Sequence, residues 1–182
     1  MGHDTAMARL LAVPAAAFAL AVLALQWRAP LRRNPALVGF WRWGASALLA
    51  AATFAAVGSE DPQRPILVGV LGLGVALPAL VLGMWLEIVA FLAWLDLQRR
   101  RPRGRRVPGV DALLPEAHKA VLLWLHRLAG VLLVVAAYRP LAYVVATAAF
   151  ALFVAYAATG VAWLSLRRRC RGVVLAPPVH AA

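Results

Sequence analysis

At 182 residues, 64% hydrophobic and 14% charged, with a mean hydropathy of +0.79, the chain falls outside the range of soluble domains, which carry roughly 25% charged residues. Its formal charge of +12 does not point to nucleic acid, because the arginines cluster between and after apolar runs with no recognisable binding motif. The single cysteine, Cys170, excludes an intrachain disulfide framework, and no Cys/His set has zinc spacing, so no metal site is expected.

Five apolar segments follow in order, over about 7–27, 36–57, 66–97, 119–138 and 140–165. Each is long enough to cross about 30 Å of hydrocarbon. The spacing predicts one all-α domain, a bundle of five transmembrane helices. The first segment approaches the upper length of a signal-peptide core, but it runs into Gln26-Trp27-Arg28 without a small-residue cleavage pattern and reads as a retained helix.

In the second segment, Pro35 suits a first helical turn. Gly44, Ala47, Ala51, Ala55 and Gly58 recur every three or four residues, a smooth stripe on which another helix can pack closely. The third segment opens at Pro65 and has Gly69, Gly72, Gly74 and Pro78 in its first half, which is therefore small and bendable. Glu87 interrupts its second half, and Arg99, Arg100, Arg101, Arg103, Arg105 and Arg106 close it. The fourth segment, entered at Lys119, carries His126 and Arg127. Tyr138-Arg139-Pro140 then forms the whole connection to the fifth, which predicts a tight antiparallel hairpin.

Charge sets the expected orientation. Arg28, Arg32 and Arg33 follow the first span, the six-arginine block follows the third, and Arg167, Arg168, Arg169 and Arg171 follow the fifth. The alternate ends carry only Arg9, Arg64 beside Glu60 and Asp61, and Arg139. The positive-inside bias then predicts the N-terminus outside and the C-terminus in the cytoplasm. Trp27, Trp41, Trp43, Trp94, Trp124 and Trp163 lie toward the same cytoplasmic ends, as an interfacial belt does. The arginine-rich loops are expected to meet anionic lipid headgroups.

Counting about 1.5 Å per residue from Arg99 puts Glu87 near mid-membrane, with His126, Arg127 and Arg42 in the same half of the bundle. An ionisable group at that depth usually has a partner. The expectation is an intramembrane polar cluster of Glu87, His126, Arg127 and Arg42, built on Glu87 with Arg127 or His126. The cluster could hold helices together while Arg42 snorkels to the headgroups, or it could serve a proton, ion or cofactor. Bis-histidine haem ligation needs two histidines inside spans, and His126 is the only one well inside; it remains a lone candidate axial ligand. His118 lies at the membrane surface, while His3 and His180 are near the termini. No triad, phosphate loop or paired carboxylates give a positive case for enzymatic chemistry.

The stretch Gly83-Met84-Trp85-Leu86-Glu87-Ile88-Val89-Ala90-Phe91-Leu92-Ala93-Trp94-Leu95, with Val107-Pro108, Leu113-Leu114-Pro115-Glu116 and the helix of Trp124 and His126, resembles the late part of NnrS-like and haem-copper-oxidase-subunit-I-like bacterial membrane proteins. The resemblance covers about residues 80–130. The family pattern has lysine where this chain has Glu87 and proline where it has Ala90, and the chain lacks the membrane histidines that hold haem and copper there. The resemblance implies a bacterial inner-membrane bundle, a reduced relative or accessory of a respiratory or metal-handling system, and carries over no metal or haem ligands. The expected role is an accessory or assembly partner of a respiratory or haem-related membrane system, working with another membrane protein or further copies of itself. The alternatives are a small oligomeric transporter or ion conductor with Glu87 on the pathway, and a haem-binding electron-transfer subunit using His126.

Overall fold

The computed structural model describes residues 2–28, 34–57, 61–100 and 109–175. Among them every regular element is helical: α1 (Gly2–Arg28), α2 (Pro35–Ala56), α3 (Arg64–Gly69), a π-helical stretch (Val70–Ala76), α4 (Leu77–Arg100), α5 (Val110–Leu113), α6 (Glu116–Tyr138) and α7 (Ala142–Leu175). Five stretches are long and apolar enough to cross a membrane: Leu10–Arg28, Pro35–Ala56, Arg64–Arg100, Glu116–Tyr138 and Ala142–Cys170. They match the five predicted segments, with the third running further into its arginine block and the fourth starting earlier.

The third span is a single rod in which α3, the π-helical stretch and α4 follow without a break. Its widened part coincides with the predicted bendable half. Pro78 has no N–H to donate and its ring crowds the carbonyl four residues back, so the ladder there must adjust. It does so by a longer bond, from the Leu77 N–H to the Gly72 carbonyl, which leaves a π-type turn just before the proline.

α2 is the central packing element. On one face Ala45 is buried against Ala19 and Val22 of α1. On another, Ala47 packs on Val75 and Ala76 of the π-helical stretch. At Gly44 a Cβ would lie 2.8 Å from Leu80 Cγ and 3.1 Å from the Ala76 carbonyl oxygen, so only glycine allows this approach. Ala51 is buried and Ala55 half-buried, while Gly58 lies outside the described residues. Gly44 and Ala47 of the stripe thus meet the third span, and α2 has a second buried face that the stripe did not indicate.

Phe40 of α2 sits at the centre of the main core with Ala79, Leu86, Ala90, Leu114, Leu122, Leu123 and Ala162. α7 joins the bundle through α6 and α4, and its outer face carries exposed Phe150, Phe153 and Val161. Exposed large apolar side chains also cover α1, α4 and α6, among them Leu11, Phe18, Phe91 and Leu128. That is the surface a lipid environment requires and water would penalise.

Candidate functional site

The buried face of α6 is Lys119, Leu122, Leu123, His126, Ala129 and Gly130, a stripe at helical spacing. Two of its members are ionisable, and they make separate polar contacts one above the other.

Lys119, 2% exposed, points its ammonium at Glu87 of α4, with Nζ 2.7 Å from Oε1. Glu116, one turn earlier on α6, places Oε2 3.4 Å from the same nitrogen. Lys119 also donates to Asn34 Oδ1 at 3.4 Å. The other Glu116 oxygen, Oε1, accepts the Ala36 N–H at 2.7 Å. Ala36 lies in the first turn of α2, where N–H groups have no intrahelical acceptor and a carboxylate is favoured by the helix dipole. Asn34 holds the N-cap position without a capping bond of its own, and Glu116 from another helix supplies that function. One lysine and two carboxylates thus tie together the ends of α2 and α6 and the middle of α4.

His126 lies two turns further along the face. Its Nε2 is 3.1 Å from Thr159 Oγ1 of α7. That hydroxyl donates to the Ala155 carbonyl at 2.9 Å, so its oxygen accepts from the ring, and the bonding network assigns the proton to Nε2. The ring meets Phe40 at 6.1 Å between centroids and Tyr156 edge-on at 5.3 Å.

The four residues expected in one cluster are therefore brought to one half of the bundle but not into mutual contact. Glu87 pairs with Lys119 rather than with His126 or Arg127. Arg127 donates to the Gly39 carbonyl at 3.4 Å and lies over the Trp124 ring at 5.2 Å. Arg42 donates to the Gln26 carbonyl at 2.8 Å, capping the C-terminal turn of α1, where carbonyls lack helical partners and a cation suits the dipole. The Nε atoms of both arginines are buried without a hydrogen-bond partner.

Sequence reasoning placed Lys119 at the membrane entry and missed its role. The connection before α6 is folded inward, with Leu113 and Leu114 only 2% and 4% exposed, and Arg169 donates to the Leu113 carbonyl at 3.2 Å to hold it. The start of α6 is thus inside the bundle, and the four-carbon lysine stem carries the charge to Glu87. The available signal was the helical period: Lys119 lies seven residues before His126 on the face of Leu122 and Leu123.

His126 does not fit a haem axial ligand in this arrangement. Its Nε2 is committed to Thr159 and its ring is flanked by two aromatic side chains. Among the described residues no three His, Cys, Asp or Glu side chains converge as a metal site.

Comparison with protein-family models, curated proteins and solved structures finds no match to this chain. Fold and composition define its class: a multi-pass α-helical membrane protein.

Proposed function

We propose that this protein resides in a bacterial inner membrane, N-terminus outside and C-terminus in the cytoplasm. There it acts as a non-enzymatic accessory or assembly partner of a respiratory or haem-related membrane system. The observation that carries this reading is how its interior polarity is arranged. The buried polar and charged side chains among the described residues are Lys119, His126 and Thr159. Each is bonded within the bundle; Lys119 lies at the end where α2 and α6 begin, and His126 and Thr159 lie near the middle of their helices. The half that holds the π-helical stretch and the end of α6 buries Val75, Ala76 and Ala136 instead. A conducting pathway is commonly lined by polar side chains or backbone carbonyls along much of the crossing. A polar anchor closed on itself suits a protein that fixes its own shape and offers an apolar exterior to a membrane partner.

Deletion of the gene tests this. Membranes of the deletion strain are expected to lose an assembled haem-containing complex, seen in reduced-minus-oxidised spectra and on native gels, and to regain it with the gene on a plasmid. Unchanged spectra and complexes would overturn the accessory role. Ion or solute flux in proteoliposomes of the purified protein, abolished by Glu87→Gln, would replace it with the conducting alternative.

A further inference from the structure

Between the ends of α4 and α7, away from the Glu87–Lys119 pair, lies an open groove of about 530 Å3. Its wall on the bilayer side is apolar, from Val89, Leu92 and Leu166. On α4 the lining becomes charged about one to three turns further along, at Asp96 and Arg100, while on α7 Arg167 directly follows Leu166. The transition falls where the apolar spans give way to arginine runs, at the depth where lipid tails meet headgroups.

The charges in the groove are not equivalent. Arg100 binds Asp96, with Nε 2.9 Å from Oδ1, so that pair is neutral. Arg167 lies over Trp163, its guanidinium carbon 3.9 Å from the ring centroid. Among the described residues no acceptor engages the Arg167 N–H groups, and no carboxylate forms an ion pair with it. An aromatic ring fixes the orientation of this cation while leaving its five donors open, and a planar guanidinium matches a phosphate in two-point geometry.

We propose that this groove is a binding site for one anionic glycerophospholipid. Its phosphate sits on Arg167, and the upper part of its acyl chains lies along Val89 and Leu92. Charge complementarity selects an anion, and the apolar wall continuous with the bilayer selects one with acyl chains over a soluble phosphate. The inference requires that the chain span a membrane and is independent of the accessory role.

The test uses the purified full-length protein, delipidated in a mild detergent and offered phosphatidylglycerol, phosphatidylcholine or soluble glycerol 3-phosphate. Native mass spectrometry counts bound lipid. Alkylation of Cys170, which lines the same groove, reports occupancy at the site. Phosphatidylglycerol is expected to be retained and to slow Cys170 alkylation, and the other two to do neither. Arg167→Gln should reduce retention about fivefold, the contribution of one basic residue at an anionic membrane surface. Arg167→Lys should recover part of it, and Arg139→Gln, in the α6–α7 hairpin, should change nothing. Equal retention of phosphatidylglycerol and phosphatidylcholine, or equal losses in Arg167→Gln and Arg139→Gln, would overturn the site. Slowed alkylation with glycerol 3-phosphate alone would assign the groove to a soluble anion and overturn the lipid. Circular dichroism of each variant separates loss of binding from loss of fold.

Discussion

A lysine that is 2% exposed in an apolar bundle is stable only while its counter-charges stay in place. Removing one member of a buried ion pair typically costs about 3–5 kcal/mol, because the remaining charge is stranded. Lys119→Met strands Glu87 and Glu116 together, so it should reach that range in detergent unfolding. Glu87→Gln should cost less, since Glu116 and Asn34 still face the ammonium. A double-mutant cycle of Glu87→Gln with Lys119→Gln should give a coupling on the order of 0.5–3 kcal/mol. The cycle of Glu87→Gln with Arg127→Gln should give a coupling near zero, and the reverse ranking would refute the pairing described above. Thr159→Val removes the acceptor of the His126 N–H, and an unsatisfied buried donor costs about 1–3 kcal/mol. The thermal midpoint in detergent should fall accordingly. Glu87 and His126 were legible because each interrupts an apolar run. Lys119 was missed because it opens the fourth segment, next to His118, where a cation reads as a group at the membrane surface.

Helix ends in this protein are completed by charges from other elements. Arg42 serves the C-terminal turn of α1, Arg64 donates to the Phe54 carbonyl in the last turn of α2, and Glu116 serves the N-terminus of α2. Such caps are invisible to a search for local capping residues, since donor and acceptor are 80 positions apart for Glu116 and Ala36. Glu116→Ala should cost about 1 kcal/mol as a lost N-cap, beyond the weakened ion pair, and should loosen amide-exchange protection of the first turn of α2. The small-residue stripe was legible as a seam, yet its partner was not. Gly44→Val must displace Leu80 or the Ala76 backbone. It should destabilise by about 1–3 kcal/mol, the usual range for overpacking. Ala45→Leu, on the face against α1, should destabilise as well, whereas the half-buried Ala55 should accept leucine at smaller cost. If Ala45→Leu were silent in thermal denaturation, the two-faced burial of α2 would be wrong.

At the scale of the whole molecule, the arginine distribution makes an orientation prediction. In a Cys170→Ser background, Gln63→Cys should react with an impermeant thiol reagent in intact cells and Ala112→Cys only after permeabilisation. The opposite pattern would invert the topology. Five spans, their order and the α6–α7 hairpin were set by the sequence alone, because the length of an apolar run against bilayer thickness is a local quantity. A proline-broken connection such as Tyr138-Arg139-Pro140 leaves few options. The bendable half of the third span was equally legible, since Gly74 and Pro78 act on their own helix. Which charges meet is different in kind. Glu87 had several cations within a similar height, and only the burial of Leu113 and Leu114 just before α6, the register of α6 against α2 and the reach of the Lys119 stem selected one. Pairing depends on how helices rotate and slide against each other, which tertiary packing decides and no single helix encodes.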